Sequence, residues 1–162
     1  MFAEGEWSPA TRWKLNGGLR GSMATVKGKN YVTPEPRLAA RYALSENQNL
    51  KFSYSRMAQY MHRISNSAVS SPTDIWYPVT DSIQPQTSHQ VSAAWQRSLP
   101  SRNISVSVEG YYKSMSQLIG YEEGTNLFLN TDFESKLIQG KGRAYGFEFL
   151  VRKESGKLTG WI

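Results

Sequence analysis

The sequence predicts an all-β chain, an antiparallel up-and-down meander of about seven strands belonging to a larger transmembrane β-barrel. Three observations carry that expectation. Apolar and polar residues alternate with a period of two over long segments. Several of these segments exceed the roughly 9–11 residues a barrel strand needs to cross a bilayer. Short polar turns alternate with long polar links, the pattern of an outer-membrane barrel with tight turns on one side and long loops on the other.

The elements follow in order. Segment 11–25 sets Trp13, Leu15, Gly17, Leu19, Gly21 and Met23 against Arg12, Lys14, Asn16, Gly18, Arg20 and Ser22. Segment 37–44 alternates Leu38, Ala40, Tyr42 and Leu44 with Arg37, Ala39, Arg41 and Ala43. Segment 49–63 sets Leu50, Phe52, Tyr54, Ala58 and Tyr60 against Lys51, Ser53, Ser55, Gln59 and Arg63, with Arg56, Met57 and Met61 breaking the rule. Segments 88–99, 103–119 and 143–153 follow, the last alternating Tyr145, Phe147, Phe149 and Val151 with Ala144, Gly146, Glu148 and Arg152. A seventh strand begins near Lys157. Turns at Ser45–Gln48, Pro100–Arg102 and Glu154–Gly156 are short; links at about 26–36, 64–87 and 120–142 are long. Apolar residues at i, i+2 and i+4 would scatter around a helix, so a helical reading fails.

Composition sets the limits. The 162 residues contain no cysteine, which excludes disulfides, thiol chemistry and Cys-ligated metal. Mean hydropathy is −0.53, and no run reaches the 18 or more apolar residues of a membrane helix; a barrel strand shows lipid only every second residue, so its mean hydropathy stays low. The net charge is +6, but Lys and Arg are dispersed without a run, which suits solvated charges or a polar barrel lining better than nucleic acid. The amino terminus carries no basic n-region and no apolar h-region, and the carboxyl end is expected to fall within a strand. The expectation is one partial β-barrel domain over 1–162, a piece of a longer exported protein.

Candidate sites are few. His62 and His89 flank the 64–87 link and could meet at a hairpin mouth, but no third ligand stands at a defined spacing. Glu122, Glu123, Asp132 and Glu134 lack calcium-loop spacing and read as a solvated loop. Glu109 and Glu148 are expected to face a lumen and pair with Arg37, Arg41 or Arg152. No nucleophile elbow, P-loop or dinucleotide motif is present, Gly140-Lys141-Gly142-Arg143 has no Walker spacing, and the residues call for no cofactor and no enzyme. Trp76 and Tyr77, with Tyr121, could stack on a sugar or an aromatic iron chelate; aromatics at strand ends are also the ordinary interface girdle.

Several stretches resemble one family. Pro34-Glu35-Pro36-Arg37-Leu38-Ala39-Ala40-Arg41-Tyr42 is similar to the "PxPRLxxRY" strand of TonB-dependent outer-membrane receptors, and Gly17-Gly18-Leu19-Arg20 to their "GLR" strand. Asp74-Ile75-Trp76-Tyr77-Pro78, Ile83-Gln84-Pro85-Gln86, Val108-Glu109-Gly110-Tyr111-Tyr112-Lys113 and Gly142-Arg143-Ala144-Tyr145-Gly146-Phe147-Glu148 resemble further barrel segments in the same order. The resemblance implies a 22-stranded barrel with an N-terminal plug, set in outer-membrane lipid, importing a scarce ligand (iron chelate, vitamin or oligosaccharide) under the drive of the TonB complex. On that reading this chain lacks the plug, the TonB box and the closing strand, and the isolated piece self-associates through its open edges. The leading alternative is a soluble β-sandwich carbohydrate-binding module; a basic nucleic-acid binder on an OB-like barrel ranks below it.

Overall fold

The computed structural model describes residues 1–64, 75–121 and 133–162, with the side chains of residues 64, 75, 121, 133 and 136 left out. Ten strands form: β1 (Phe2–Ala10), β2 (Trp13–Val26), β3 (Lys29–Ser45), β4 (Gln48–Gln59), β5 (Met61–Ile64), β6 (Ile75–Pro78), β7 (Gln86–Leu99), β8 (Ile104–Tyr121), β9 (Leu137–Lys153) and β10 (Gly160–Trp161). Eight make one antiparallel sheet in the order β1-β2-β3-β4-β7-β8-β9-β10, while β5 and β6 pair separately. The meander is the predicted one; β1 and β6 are additions, and the predicted segment 49–63 divides at Tyr60 into β4 and β5, the latter leaving the main sheet to pair with β6. The sheet is open, with β1 and β10 at its edges, and no second large sheet faces it among the described residues. No described helix is long and apolar enough to cross a membrane, which has no bearing on strands.

The predicted link at 26–36 is not a link. Strand β2 pairs with β3 without a break from Trp13↔Tyr42 to Val26↔Lys29, and a two-residue turn joins them. Lys27 (φ 45°) and Gly28 (φ 81°) both adopt the left-handed region, as a hairpin turn matched to strand twist requires. Pro34 and Pro36 disguise this strand in the sequence. Proline cannot donate to a ladder, and the β3–β4 ladder begins only at Arg37↔Ser55. Both prolines therefore lie where β3 is paired on one side alone, and Arg56 Nη1 donates to the free Pro34 carbonyl at 3.2 Å. The 120–142 link also contracts, because β8 runs to Tyr121 and β9 starts at Leu137. A bulge at Gln117 (φ 55°) absorbs one residue between Ser116 and Leu118.

Register assigns two faces. On the outer face one row reads Trp13, Tyr42, Leu50, Trp95, Val108, Phe149 across β2, β3, β4, β7, β8 and β9. The next rows read Leu15, Ala40, Phe52, Ala93, Gly110, Phe147 and then Gly17, Leu38, Tyr54, Val91, Tyr112, Tyr145. The inner face is polar: Ser53 and Ser92 share a hydrogen bond of 2.9 Å across β4 and β7. All five carboxylates of the eight-stranded sheet, Glu4, Glu6, Glu35, Glu109 and Glu148, have inner-face register positions. The separation of Leu38, Phe52 and Tyr54 from Arg37, Arg41, Lys51 and Ser53 is as the alternation predicts.

The sheet itself has almost no core. Phe147 is 89% exposed and Tyr145 76%, and, proline aside, the buried apolar side chains among the described residues are Val79 and Ile83. Both lie in the segment after β6, which folds back over the inner side of the β2–β3 hairpin: Tyr31 Oη donates to the Thr80 carbonyl at 2.7 Å, and Lys29 Nζ to that of Asp81 at 3.1 Å.

Candidate functional site: the inner wall and its cap

The inner wall is built by alternation, every second residue of each strand pointing inward. One row gathers five charged residues around a single alanine: Lys14 (β2), Arg41 (β3), Lys51 (β4), Ala94 (β7), Glu109 (β8), Glu148 (β9). Three cations are thus separated from two carboxylates by a single small residue. A groove of about 470 Å³ lies over this row, lined by Lys14, Arg41, Lys51, Ala94 and Glu109. Arg41 is held by Asn49, whose Oδ1 accepts from Nε at 2.9 Å and from Nη2 at 2.7 Å. Glu109 and Glu148 stand directly opposite each other. The expected pairing of these glutamates with Arg37, Arg41 or Arg152 is not formed. Register explains it: Glu109 meets Ala94 on one side and Glu148 on the other, while the arginines lie strands or residues away. Like charges opposite each other destabilise a sheet.

The cap closes the upper end of this wall. Ser22 Oγ donates to the buried Glu35 carboxylate at 2.5 Å, Tyr60 Oη lies 3.0 Å from Ser22 Oγ, and Arg20 Nε stands 3.9 Å from Glu35. Further along, Glu134 accepts from Tyr77 Oη at 3.0 Å and from Thr80 Oγ1 at 2.5 Å. Thr80 Oγ1 in turn accepts from the Ile83 amide at 3.0 Å. Burial, then the hydrogen bond to Glu134 and the charges of Glu134 and Asp81, push the Tyr77 phenol above its ordinary pKa. His62 on β5 is fully buried, and neither ring nitrogen has a partner among the described residues. Burial pushes its pKa down, because a charged imidazole there would lose its hydration without compensation.

The sequence candidates disperse. Trp76 is exposed and stands opposite Arg63 in β5. Tyr77, the next residue, points to the other side of the same strand and engages Glu134. Tyr121 ends β8 opposite Leu137; its side chain lies outside the described residues, as do Glu122, Glu123 and Asp132. His62 and His89 occupy different sheets, and His89 Nδ1 lies 3.0 Å from Tyr54 Oη on the outer face. No group of three or more potential metal ligands occurs among the described residues. The Glu35–Ser22–Tyr60 network was missed by sequence reasoning. Its one signal is a lone carboxylate between two prolines in an otherwise uncharged run.

A meander of long strands, polar on one face and apolar on the other, with a charged inner row and a capped upper end, defines the wall of a transmembrane β-barrel. The family model described as "TonB dependent receptor-like, beta-barrel" matches residues 1–161, and the chain belongs to that family. Its members are outer-membrane β-barrels of transport. No curated protein matches the chain.

Proposed function

We propose that this chain forms part of the barrel wall of an outer-membrane receptor that binds and imports a scarce ligand, an iron chelate, a vitamin or an oligosaccharide, in a process powered by the TonB complex. The carrying observation is the partition of charge. No carboxylate of the eight-stranded sheet is on the outer face, and the outer cations sit at the ends of the apolar rows. On β7 the cation Arg97 lies eight residues from the polar ring of His89; on β9 the cations Lys153 and Arg143 are ten apart. At roughly 3.4 Å per residue they are separated by about 27 and 34 Å along the strand. For strands tilted by about 40°, that leaves about 21 and 26 Å along the membrane normal, close to the roughly 25 Å apolar band of such barrels.

On this reading the inner row and the cap meet the ligand. Trp76 supplies an exposed stacking face, Tyr77 ties the cap together through Glu134, and Tyr121 contributes from the top of β8. Nitroxide labels at Phe52 and Ser53 of the full-length receptor test the orientation. Phe52 is expected to be quenched by oxygen dissolved in lipid and Ser53 by a water-soluble agent. Equal water accessibility at the two positions overturns the proposal.

A further inference from the structure

Ala93 and Gly110 are register partners at the centre of the outer face, flanked in the same row by Phe52 and Phe147. The sequence large-small-small-large across four strands opens a trough. Gly110 forms its floor: a Cβ there would come within 2.9 Å of the Phe147 ring. The trough is open, strongly apolar and about 750 Å³ in volume, bounded also by Val91 and Tyr145. Two rows further towards the loop end the chemistry changes abruptly. Arg56, His89, Ser114 and Arg143 form one row, and Thr87, Ser116 and Lys141 the next.

Four of these seven groups are uncommitted. Arg56 is engaged with the Pro34 carbonyl, His89 with Tyr54 and Thr87 with Gln117. The side chains of Arg143, Lys141, Ser114 and Ser116 have no hydrogen-bond or ion-pair partner among the described residues, and Arg143 and Lys141 are exposed. Arg143 and Lys141 lie about 7 Å apart along β9, with the two serines one strand away at about 4.8 Å. Two cations and two hydroxyls at that spacing, with no carboxylate on the face, suit a phosphate group. The arrangement is local. At the same rows, β2 and β3 present Leu19, Gly21, Pro36 and Pro34, and the cation of β4 there, Arg56, is turned to the Pro34 carbonyl, so free cations do not continue around the sheet.

We propose that this part of the outer face is a site for one anionic, phosphate-bearing lipid of the outer leaflet, its acyl chain in the trough and its phosphate on Arg143, Lys141, Ser114 and Ser116. A free phosphate ion would use the polar rows and have no use for the trough beneath them; the continuity of the two selects an amphiphile. The proposal rests on the barrel reading above, in which this face meets lipid.

The test uses the full-length receptor in phosphatidylcholine bilayers containing spin-labelled phosphatidic acid or spin-labelled phosphatidylcholine. Electron paramagnetic resonance then reads the fraction of each lipid immobilised on the protein. Preference for phosphatidic acid is expected in the unaltered receptor and should fall roughly tenfold at this site in Arg143→Gln/Lys141→Gln. Ala93→Phe, which fills the trough, should weaken it as well. Arg97→Gln/Lys153→Gln, at the other end of the same face, should leave it intact. Unchanged preference in Arg143→Gln/Lys141→Gln overturns the site. So does full competition by millimolar inorganic phosphate with no effect of Ala93→Phe, which would assign the patch to a free anion. A nitroxide at Phe52 separates the two levels: if it is water-accessible the barrel reading fails, whereas lipid accessibility without lipid preference removes this site alone.

Discussion

The strands at the short-turn end and the cap at the loop end bury their apolar groups in opposite ways. Around Phe52, Phe147 and Phe149 the sheet is one layer thick, and the large side chains of its outer face stay exposed. In the cap, Val79 (1% exposed) and Ile83 (3%) are enclosed by the chain itself, and polar groups such as Glu35, Thr80 and Glu134 find partners within it. The first region takes its hydrophobic stabilisation from whatever medium meets its outer face; the second generates its own. On the barrel reading, a single chain thus contains one part whose stability is set by lipid and one whose stability is set by internal packing.

The largest effect expected from breaking this contrast is at Phe147. In the full-length receptor folded into bilayers, Phe147→Arg should cost about 2–4 kcal/mol, the penalty of a cation on the lipid face near mid-depth. Glu148→Arg, one residue away on the inner face, should cost little, because it also removes the opposed Glu109–Glu148 pair. Equal costs in urea unfolding would erase the distinction between the two faces. Next in size is Ile83→Ala. It should lower the opening free energy of the cap by about 2 kcal/mol, seen as faster amide exchange over 79–83 while exchange in β7 and β8 is unchanged.

Glu134→Gln should cost the cap about 1 kcal/mol, since it weakens two charge-assisted hydrogen bonds, and should bring the Tyr77 phenol back towards its ordinary pKa in a difference titration against the parent. The cap should also respond to acid through His62. Its folded-state pKa is depressed from the ordinary 6.5, so the unfolded state binds the proton first. Cap stability is full above pH 6.5 and is lost as the pH falls through the lowered value. Amide exchange at β5 measured against pH should show this loss, and His62→Phe should remove it. The smallest effect is at Gly110→Ala, below about 1 kcal/mol, because the Phe147 ring it would crowd is free to swing outward.

Much of the sheet was legible because period two is a local property. Each of Leu38, Phe52 and Trp95 declares its face through its immediate neighbours. Pro34 and Pro36 hid the upper half of β3, since proline argues against a strand unless the free side of that strand is known. The charge row was not legible either. Lys14, Arg41, Lys51, Glu109 and Glu148 are far apart in sequence, and only the register of five ladders aligns them.

The sequence by itself determined the β class, the meander and the side of the sheet on which most residues lie, because alternation, turn residues and strand length act over a few positions. The tertiary structure alone decided that residues 79–83 fold back to build a cap, that Glu35 is buried beneath it, and that Ala93 and Gly110 meet to form a trough. These depend on contacts between residues tens of positions apart, set by strand register and loop closure, and local pattern carries no information about either.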